Sequence, residues 1–196
     1  ANFSRGAKAP KLMAINARLD EARAELTLCH PELPPLTFRP DDPADQARFL
    51  EWVRPIVPAD RAQPAAIFAA KGVAMTDSDY QSVSLINLAS NRALGMSMGL
   101  DLSPLRWRGN FWIEGLEAFA EVSLPGKRIR MGATLLEVVE PIERCLATTA
   151  NPETGVRDAD TLAGLRDLVA NQNFGVYARV IEGGPVRVGD SLQVAE

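Results

Sequence analysis

Apolar and polar residues alternate in short runs along the second half of the chain. Such runs, rich in β-branched residues and bounded by turn-forming residues, predict β-strands. They are residues 110–115, 127–131, 134–139, 176–181 and 186–194. Gly183-Gly184 separates the last two runs and predicts a hairpin. Several strands at short intervals with few helices favour a mixed α+β fold, with a β-barrel-like core of mainly antiparallel strands.

The first 72 residues carry a weaker form of the same pattern. Alternating apolar positions over residues 12–19 and 25–29 predict a strand, a turn and a second strand. Residues 36–38 predict a short strand at best, because prolines precede them and break the pattern. Residues 65–70 predict one further short strand.

A few segments instead show the apolar spacing of short helices. The first begins at the acidic cap Asp41-Asp42 and ends at Pro55. The second is predicted from Ser84, as its N-cap, to about Met98, with Gly99 as its end. The third is predicted from about residue 160 to 170.

Charge and cysteine usage narrow the class of protein. The 196-residue chain has a net charge of −4 with the signs mixed, so neither nucleic acid nor an anionic membrane is an expected partner. It has no apolar run long enough for a transmembrane helix and no signal-peptide pattern at its start. Cys29 and Cys145 form no secreted disulfide framework. We therefore expect reduced thiols and a cytoplasmic location.

Cys145 is the candidate reactive residue. It follows the predicted strand at 134–139, stands next to Arg144, and is followed by Thr148 and Thr149. A cation beside a thiol favours the thiolate, the form that attacks electrophiles and binds soft metals. A lone cysteine in a reducing compartment is also often a small buried side chain. Both interpretations stay open from the residues alone.

The segment Arg106-Trp107-Arg108-Gly109-Asn110 is a candidate anion site. In an extended chain Arg106 and Arg108 would point to the same side. Guanidinium groups bind phosphate or carboxylate through two parallel hydrogen bonds, and Asn110 can both donate and accept. A solvated strand edge explains the arginines equally well. Ser82 and Ser84 precede the second predicted helix, whose N-terminus could bind an anion, although ordinary capping explains them better.

Several segments match a known family in order. They are Ser-x-Ser-Leu-Ile-Asn-Leu-Ala-Ser from Ser82, Arg-Trp-Arg-Gly-Asn from Arg106, Arg-Ile-Arg-Met-Gly-Ala from Arg128, Glu-Arg-Cys-x-x-Thr-Thr-x-Asn-Pro-Glu-Thr-Gly from Glu143, Phe-Gly-Val-Tyr-Ala from Phe174, and Val-Arg-Val-Gly-Asp from Val186. Together they resemble the MOSC domain, the family named for the C-terminal domain of molybdenum cofactor sulfurase. The resemblance predicts a MOSC domain at 73–196. Residues 1–72 resemble part of the β-barrel region that often precedes it.

The resemblance implies a domain that binds molybdenum cofactor, a molybdopterin, or handles activated sulfur for one. Cys145 matches the family's motif cysteine, which ligates molybdenum in cofactor-binding members and is a candidate persulfide carrier in sulfurases. Arg108 and Asn110 match the family's Arg-x-Asn, which would hold the pterin or its phosphate. The remaining candidate cofactor-binding residues are Arg106, Ser82, Ser84, Arg144, Thr148 and Thr149.

The leading hypothesis is a molybdenum-dependent oxidoreductase that reduces N-hydroxylated or similar substrates with electrons from a separate partner. The alternatives are a persulfide carrier supplied by a cysteine desulfurase, and a non-catalytic binding module. The chain departs from the family pattern at Gly109, where proline is usual, and at Asn151, where aspartate is usual. Since it starts partway through the preceding barrel, we expect a fragment or a shortened member, in which the cofactor could be absent.

Overall fold

The computed structural model describes residues 5–72 and 74–195. Their contacts concentrate in two compact units. The described part of residues 1–71 forms the first unit together with Cys145–Thr161, and the remaining described residues form the second. The predicted domain boundary between residues 72 and 73 stays a prediction.

The first unit combines a small sheet with one α-helix. Strands β1 (Asn16–Asp20), β2 (Glu25–His30) and β3 (Leu33–Phe38) pair antiparallel in that order. Helix α1 (Pro43–Val53) begins as predicted, because the Asp42 carboxylate accepts hydrogen bonds from two first-turn backbone N–H groups. Apolar side chains from the sheet, the helix and the turn after it form the core: Leu28, Leu36, Phe38, Trp52, Val53, Ile56 and Val57.

The second unit is built on a six-stranded sheet in the order β5-β4-β8-β7-β6-β9. Its strands are β4 (Val83–Asn87), β5 (Phe111–Ile113), β6 (Arg128–Met131), β7 (Thr134–Glu143), β8 (Asn173–Glu182) and β9 (Leu192–Ala195). The β4–β5 pair is parallel, and the other pairs are antiparallel. Two further helices are α2 (Leu88–Met98) and α3 (Thr161–Val169). The predicted α+β class with mainly antiparallel strands is therefore confirmed.

The second predicted helix begins later than the sequence suggested. Ser84 lies inside strand β4, and Asn87 caps α2 by accepting a hydrogen bond from the Ala89 backbone N–H at 3.0 Å. The prediction was wrong because β4 is almost wholly buried. Because side chains on both faces of β4 are buried, its residues show no alternation of apolar and polar positions that would mark a strand. Gly99 ends the helix as predicted, in the left-handed conformation with φ of 65°.

Other strand predictions were wrong or too long: of residues 12–19 only those from Asn16 lie in a strand, and of residues 186–194 only those from Leu192. Gly183-Gly184 does not join a hairpin, because β9 pairs with β6 while β8 lies between β4 and β7. Residues 65–70 form no strand. Strand partners depend on contacts distant in sequence, which the local pattern does not contain. Among the described helices, none is long and apolar enough to cross a bilayer.

Candidate functional site

Cys145 lies two residues beyond the end of strand β7, which agrees with the predicted position of the thiol at a strand end. Its side chain is exposed and free, and its backbone is extended (φ −115°, ψ 176°) at the start of a 3₁₀ turn, Leu146–Thr149. The Cys145 carbonyl accepts two hydrogen bonds from Thr148, at 3.2 Å from the backbone N–H and at 3.1 Å from the hydroxyl. The thiol is therefore presented to solvent from a backbone that its own turn holds.

Thr148 and Thr149 are buried, and their hydroxyl groups bind other protein groups. The Thr149 hydroxyl donates to the Leu146 carbonyl at 2.8 Å, and the Thr148 hydroxyl lies 2.8 Å from that of Thr161. Both side chains thus shape the turn that carries the thiol. Arg157, which no sequence pattern indicated, also donates hydrogen bonds to this turn, at the Thr149 hydroxyl and the Leu146 carbonyl.

Ser84 and Asn110 form a reciprocal pair in the second unit. The Asn110 Oδ1 accepts hydrogen bonds from the Ser84 backbone N–H at 2.9 Å and from its hydroxyl at 3.0 Å. The Ser84 Oγ in turn accepts from the Asn110 backbone N–H at 3.0 Å. Since the amide oxygen of exposed Asn110 is engaged, the group it can offer a ligand is the Nδ2 donor. Ser82 instead shares a hydrogen bond of 2.8 Å with the Ser78 hydroxyl.

Arg106 and Arg108 do not lie on an extended chain, so the prediction that they point to the same side was wrong. Pro104–Trp107 forms a 3₁₀ turn and Arg108 follows it in the left-handed conformation, with φ of 52°. Arg106 is buried, whereas Arg108 is exposed. Gly109 packs tightly here, since an added Cβ would lie 2.4 Å from Ile86 Cγ1. Packing against Ile86 explains why a residue without a side chain stands at this position.

Arg144 is held by two aromatic residues in the second unit. Its Nε donates to the Phe174 carbonyl at 2.8 Å and its Nη1 donates to the Trp107 carbonyl at 3.0 Å. The two rings stack with centroids 3.8 Å apart, and the guanidinium carbon lies 5.5 Å from the Trp107 ring centroid. The indole N–H donates to Asn91 Oδ1 at 2.6 Å. Stacking and hydrogen bonds therefore fix the cation that immediately precedes Cys145 in the chain.

A buried carboxylate that no sequence pattern indicated supports the same aromatic pair. Glu121 accepts hydrogen bonds from the Ser90 hydroxyl at 2.8 and 2.9 Å and from Asn87 Nδ2 at 2.9 Å. The Ser90 Oγ also accepts from the Phe119 backbone N–H at 2.7 Å. The Phe119 ring meets Phe174 edge-on, with centroids 6.2 Å apart. Its partners Asn87 and Ser90, at the start of α2, are short polar residues that the sequence shows without indicating what they bind.

The two tyrosines of the chain both donate to carboxylates. The Tyr80 hydroxyl donates to Glu140 at 2.8 Å, and the Tyr177 hydroxyl donates to Asp77 at 2.6 Å. Burial, followed by the hydrogen bond to Glu140, raises the pKa of Tyr80 to about 12. Burial and the Asp77 carboxylate raise the pKa of Tyr177 as well. Both hydroxyls are therefore neutral donors at physiological pH.

The candidate residues divide between the two units. Cys145, Thr148 and Thr149 belong to the first, and the second holds Ser82, Ser84, Arg106, Arg108, Asn110 and Arg144. Within the described ranges no three His, Cys, Asp or Glu side chains gather where they could hold a metal ion. In the first unit, Cys145 offers an exposed thiol, a ligand that suits soft metals. In the second unit, Arg108 offers an exposed guanidinium and Asn110 an amide donor, groups that suit an anion.

Comparisons with known proteins identify the family. The sequence profile of the MOSC domain matches residues 74–193, which is more than half of the chain, so the chain belongs to the MOSC domain family. Mitochondrial amidoxime-reducing component 1 of Xenopus laevis is 33% identical over 126 residues, covering 58% of this chain and 36% of that protein. A molybdenum cofactor sulfurase of Drosophila grimshawi is 34% identical over 94 residues, covering 47% of this chain and 12% of that protein. The chain thus spans well under half the length of these relatives.

Two solved structures are similar over a little more than half of the chain. The YuaD protein from Bacillus subtilis has a TM-score of 0.47 and 20% identity, covering 57% of this chain and 62% of that one. YiiM from Geobacillus stearothermophilus has a TM-score of 0.43 and 18% identity, covering 58% and 54%.

Proposed function

We propose that this MOSC protein binds molybdenum cofactor with the Cys145 thiolate as a ligand to the metal. The observation that carries the proposal is an exposed, free thiol within the residues that match the family. A thiolate is a soft ligand, and it is available only when the side chain is accessible and unpaired. Cys145 meets both conditions.

Arg108 and Asn110 are the proposed contacts to the pterin or its phosphate. Arg108 is exposed and always charged, and its guanidinium matches phosphate geometry. Asn110 would donate through Nδ2 while Ser84 holds its amide oxygen. Arg106, Arg144 and Ser82 would add positive charge and polar groups, and Thr148 and Thr149 would keep the thiol turn in shape.

Reduction of N-hydroxylated or similar substrates is the proposed reaction. Converting N–OH to N–H consumes two electrons and two protons and releases water, so a separate electron-transfer protein must supply the electrons. The cofactor, when bound, supplies the two-electron redox chemistry at its metal. The similarity of this chain to mitochondrial amidoxime-reducing component 1 supports the proposed reaction.

Molybdenum and pterin content tests the proposal. Wild-type protein from a host that makes the cofactor should contain molybdenum, measured by mass spectrometry, and pterin, measured by fluorescence after oxidation. Cys145→Ala should lose most of the metal, while Cys29→Ala serves as the matched control because it removes the other exposed thiol. Equal molybdenum in wild type and Cys145→Ala would rule out ligation by Cys145.

A persulfide carrier is the second candidate function. The exposed thiol and the similarity to molybdenum cofactor sulfurases favour it. In this reaction the thiolate attacks the terminal sulfur of a desulfurase persulfide, forms a new S–S bond, and releases the desulfurase thiolate. Incubation with a cysteine desulfurase and cysteine should then add one sulfur to Cys145 and none to Cys29. Peptide mass spectrometry without an adduct on Cys145 would refute this function.

A further inference from the structure

Arg157 binds the turn that presents the thiol. Its Nη1 donates to the Leu146 carbonyl and, at 2.5 Å, to the Thr149 hydroxyl. Its Nη2 donates to the Ala7 carbonyl at 2.9 Å. A single guanidinium therefore joins both ends of the 3₁₀ turn to the N-terminal segment of the same unit. The fork of donors makes this possible, because each nitrogen points in a fixed direction.

A short return of the chain brings Arg157 to the turn. The Asn151 N–H donates to the Val156 carbonyl at 2.8 Å, and the Gly155 N–H donates to the Asn151 carbonyl at 2.8 Å. Ala150 and Arg157 form an antiparallel bridge. The Asn-Pro-Glu-Thr-Gly sequence thus reverses the chain, so that a residue eleven positions beyond Leu146 reaches its carbonyl.

The turn is exposed at its thiol end and buried at Thr148 and Thr149. Cys145 is exposed and Leu146 is half exposed, so apolar burial contributes little at the position of the thiol. Backbone hydrogen bonds of 3.2 Å run within the turn from Thr148 to Cys145 and from Ala150 to Ala147. The Thr149 carbonyl also accepts from the Asp158 and Ala159 N–H groups, at 3.2 and 3.5 Å. Hydrogen bonds from a charged donor are about twice as strong as neutral ones. Arg157 therefore adds charged hydrogen bonds at both Leu146 and Thr149 of the turn.

We propose that Arg157 is a positioning residue that holds the Cys145 thiol in place for its reaction with a soft metal or an incoming sulfur. The inference rests on the proposed function, since Cys145 must carry that chemistry. Arg157 acts through the backbone of the turn and does not itself contact the ligand. The shape of the guanidinium is required as well as its charge. The single nitrogen of a lysine ammonium cannot replace two guanidinium nitrogens that donate to the turn and to Ala7.

A nitroxide on Cys145 tests the positional role directly. The label is attached in a Cys29→Ser background, and electron paramagnetic resonance reports its mobility. Arg157→Ala and Arg157→Lys should both shorten the rotational correlation time at least twofold. Arg166→Ala is the matched control, because it removes an exposed arginine from α3 and should leave the spectrum unchanged. Equal spectra for Arg157→Ala and Arg166→Ala would overturn the inference.

A second label and a loading assay complete the test. A nitroxide on Cys29 in a Cys145→Ser background should not respond to Arg157→Ala, and an equal response would show general loosening instead of positioning. Molybdenum or sulfur on Cys145 should fall at least threefold in Arg157→Ala, and unchanged loading would also overturn the inference. Wild-type protein that takes neither would overturn the proposed function. The spectra test whether Arg157 holds the turn, and loading of the wild-type protein tests the proposed function. Each hypothesis can therefore fail without the other.

Discussion

Two regions that meet in sequence at residues 144 and 145 are stabilised by different interactions. The thiol turn (Cys145–Thr149) exposes its first residue and is held by hydrogen bonds to backbone carbonyls. The aromatic cluster (Trp107, Phe174 and Arg144) is held by ring stacking and buried polar groups. Reactive groups on proteins commonly sit on surface loops positioned by a rigid scaffold. The difference predicts that stability depends on the cluster, and chemistry on the turn.

The largest effect on stability should come from the aromatic cluster. Trp107→Ala removes a side chain that is 2% exposed, together with its stacking on Phe174. Deletion of a buried aromatic side chain costs about 3–5 kcal/mol. Urea unfolding followed by circular dichroism should show this loss, and Trp112→Ala, at a more exposed tryptophan, is the control. A loss below about 1 kcal/mol would contradict the role of the cluster.

The next largest effect should come from the buried carboxylate behind the cluster. In Glu121→Gln one oxygen becomes an NH₂ group, which cannot accept from the donors on Ser90 and Asn87. An unsatisfied buried donor costs about 1–3 kcal/mol. Glu117→Gln makes the same change at an exposed side chain and should cost less than about 0.5 kcal/mol. Equal unfolding free energies for the two variants would refute the importance of this network.

Alkaline pH should weaken the second unit, which contains both tyrosines. The pKa of Tyr80 is raised to about 12 from an ordinary value of 10.0, so the folded state holds this proton more tightly than the unfolded state. Its stabilising contribution is complete below about pH 10 and declines as the pH rises toward 12. Absorbance at the tyrosinate wavelength should show ionisation above pH 11, and Tyr80→Phe should reduce the pH dependence of unfolding. Ionisation of both tyrosines near pH 10 would contradict this prediction.

The smallest effect on stability should come from the thiol itself. Cys145→Ala removes an exposed side chain, so the free energy of unfolding should change by less than about 0.5 kcal/mol. Cofactor or sulfur loading should nevertheless be lost, which sharpens the contrast with Trp107→Ala. Urea unfolding of Cys145→Ala and Cys29→Ala measures the first part. A destabilisation above about 1 kcal/mol at Cys145 alone would mean that the thiol also has a structural role.

Local signals in the sequence correctly predicted the elements that local chemistry controls. Asp42 caps α1, Gly99 ends α2, and the thiol follows a strand, because capping, left-handed backbone and strand periodicity depend on near neighbours. The order of motifs identified the family, which the profile match at residues 74–193 confirmed.

Contacts between distant residues decided the rest. Ser84 was assigned to a helix because a buried strand has no alternation to reveal it, and only pairing of β4 with β5 and β8 shows its place. The same pairing brings Ser84 to Asn110 and fixes which end of the amide can donate. Arg157 gave no signal either, since its three acceptors lie 8 to 150 positions away.

By itself the sequence determined the fold class, the family and the strand-end position of Cys145, since these follow from residue type, spacing and motif order. Only the tertiary structure decided that the thiol is exposed, that Arg144 stacks on Trp107 and Phe174, and that Arg157 holds the turn. Exposure and hydrogen-bond partners are properties of surroundings assembled from distant segments. No local pattern along a single chain encodes them.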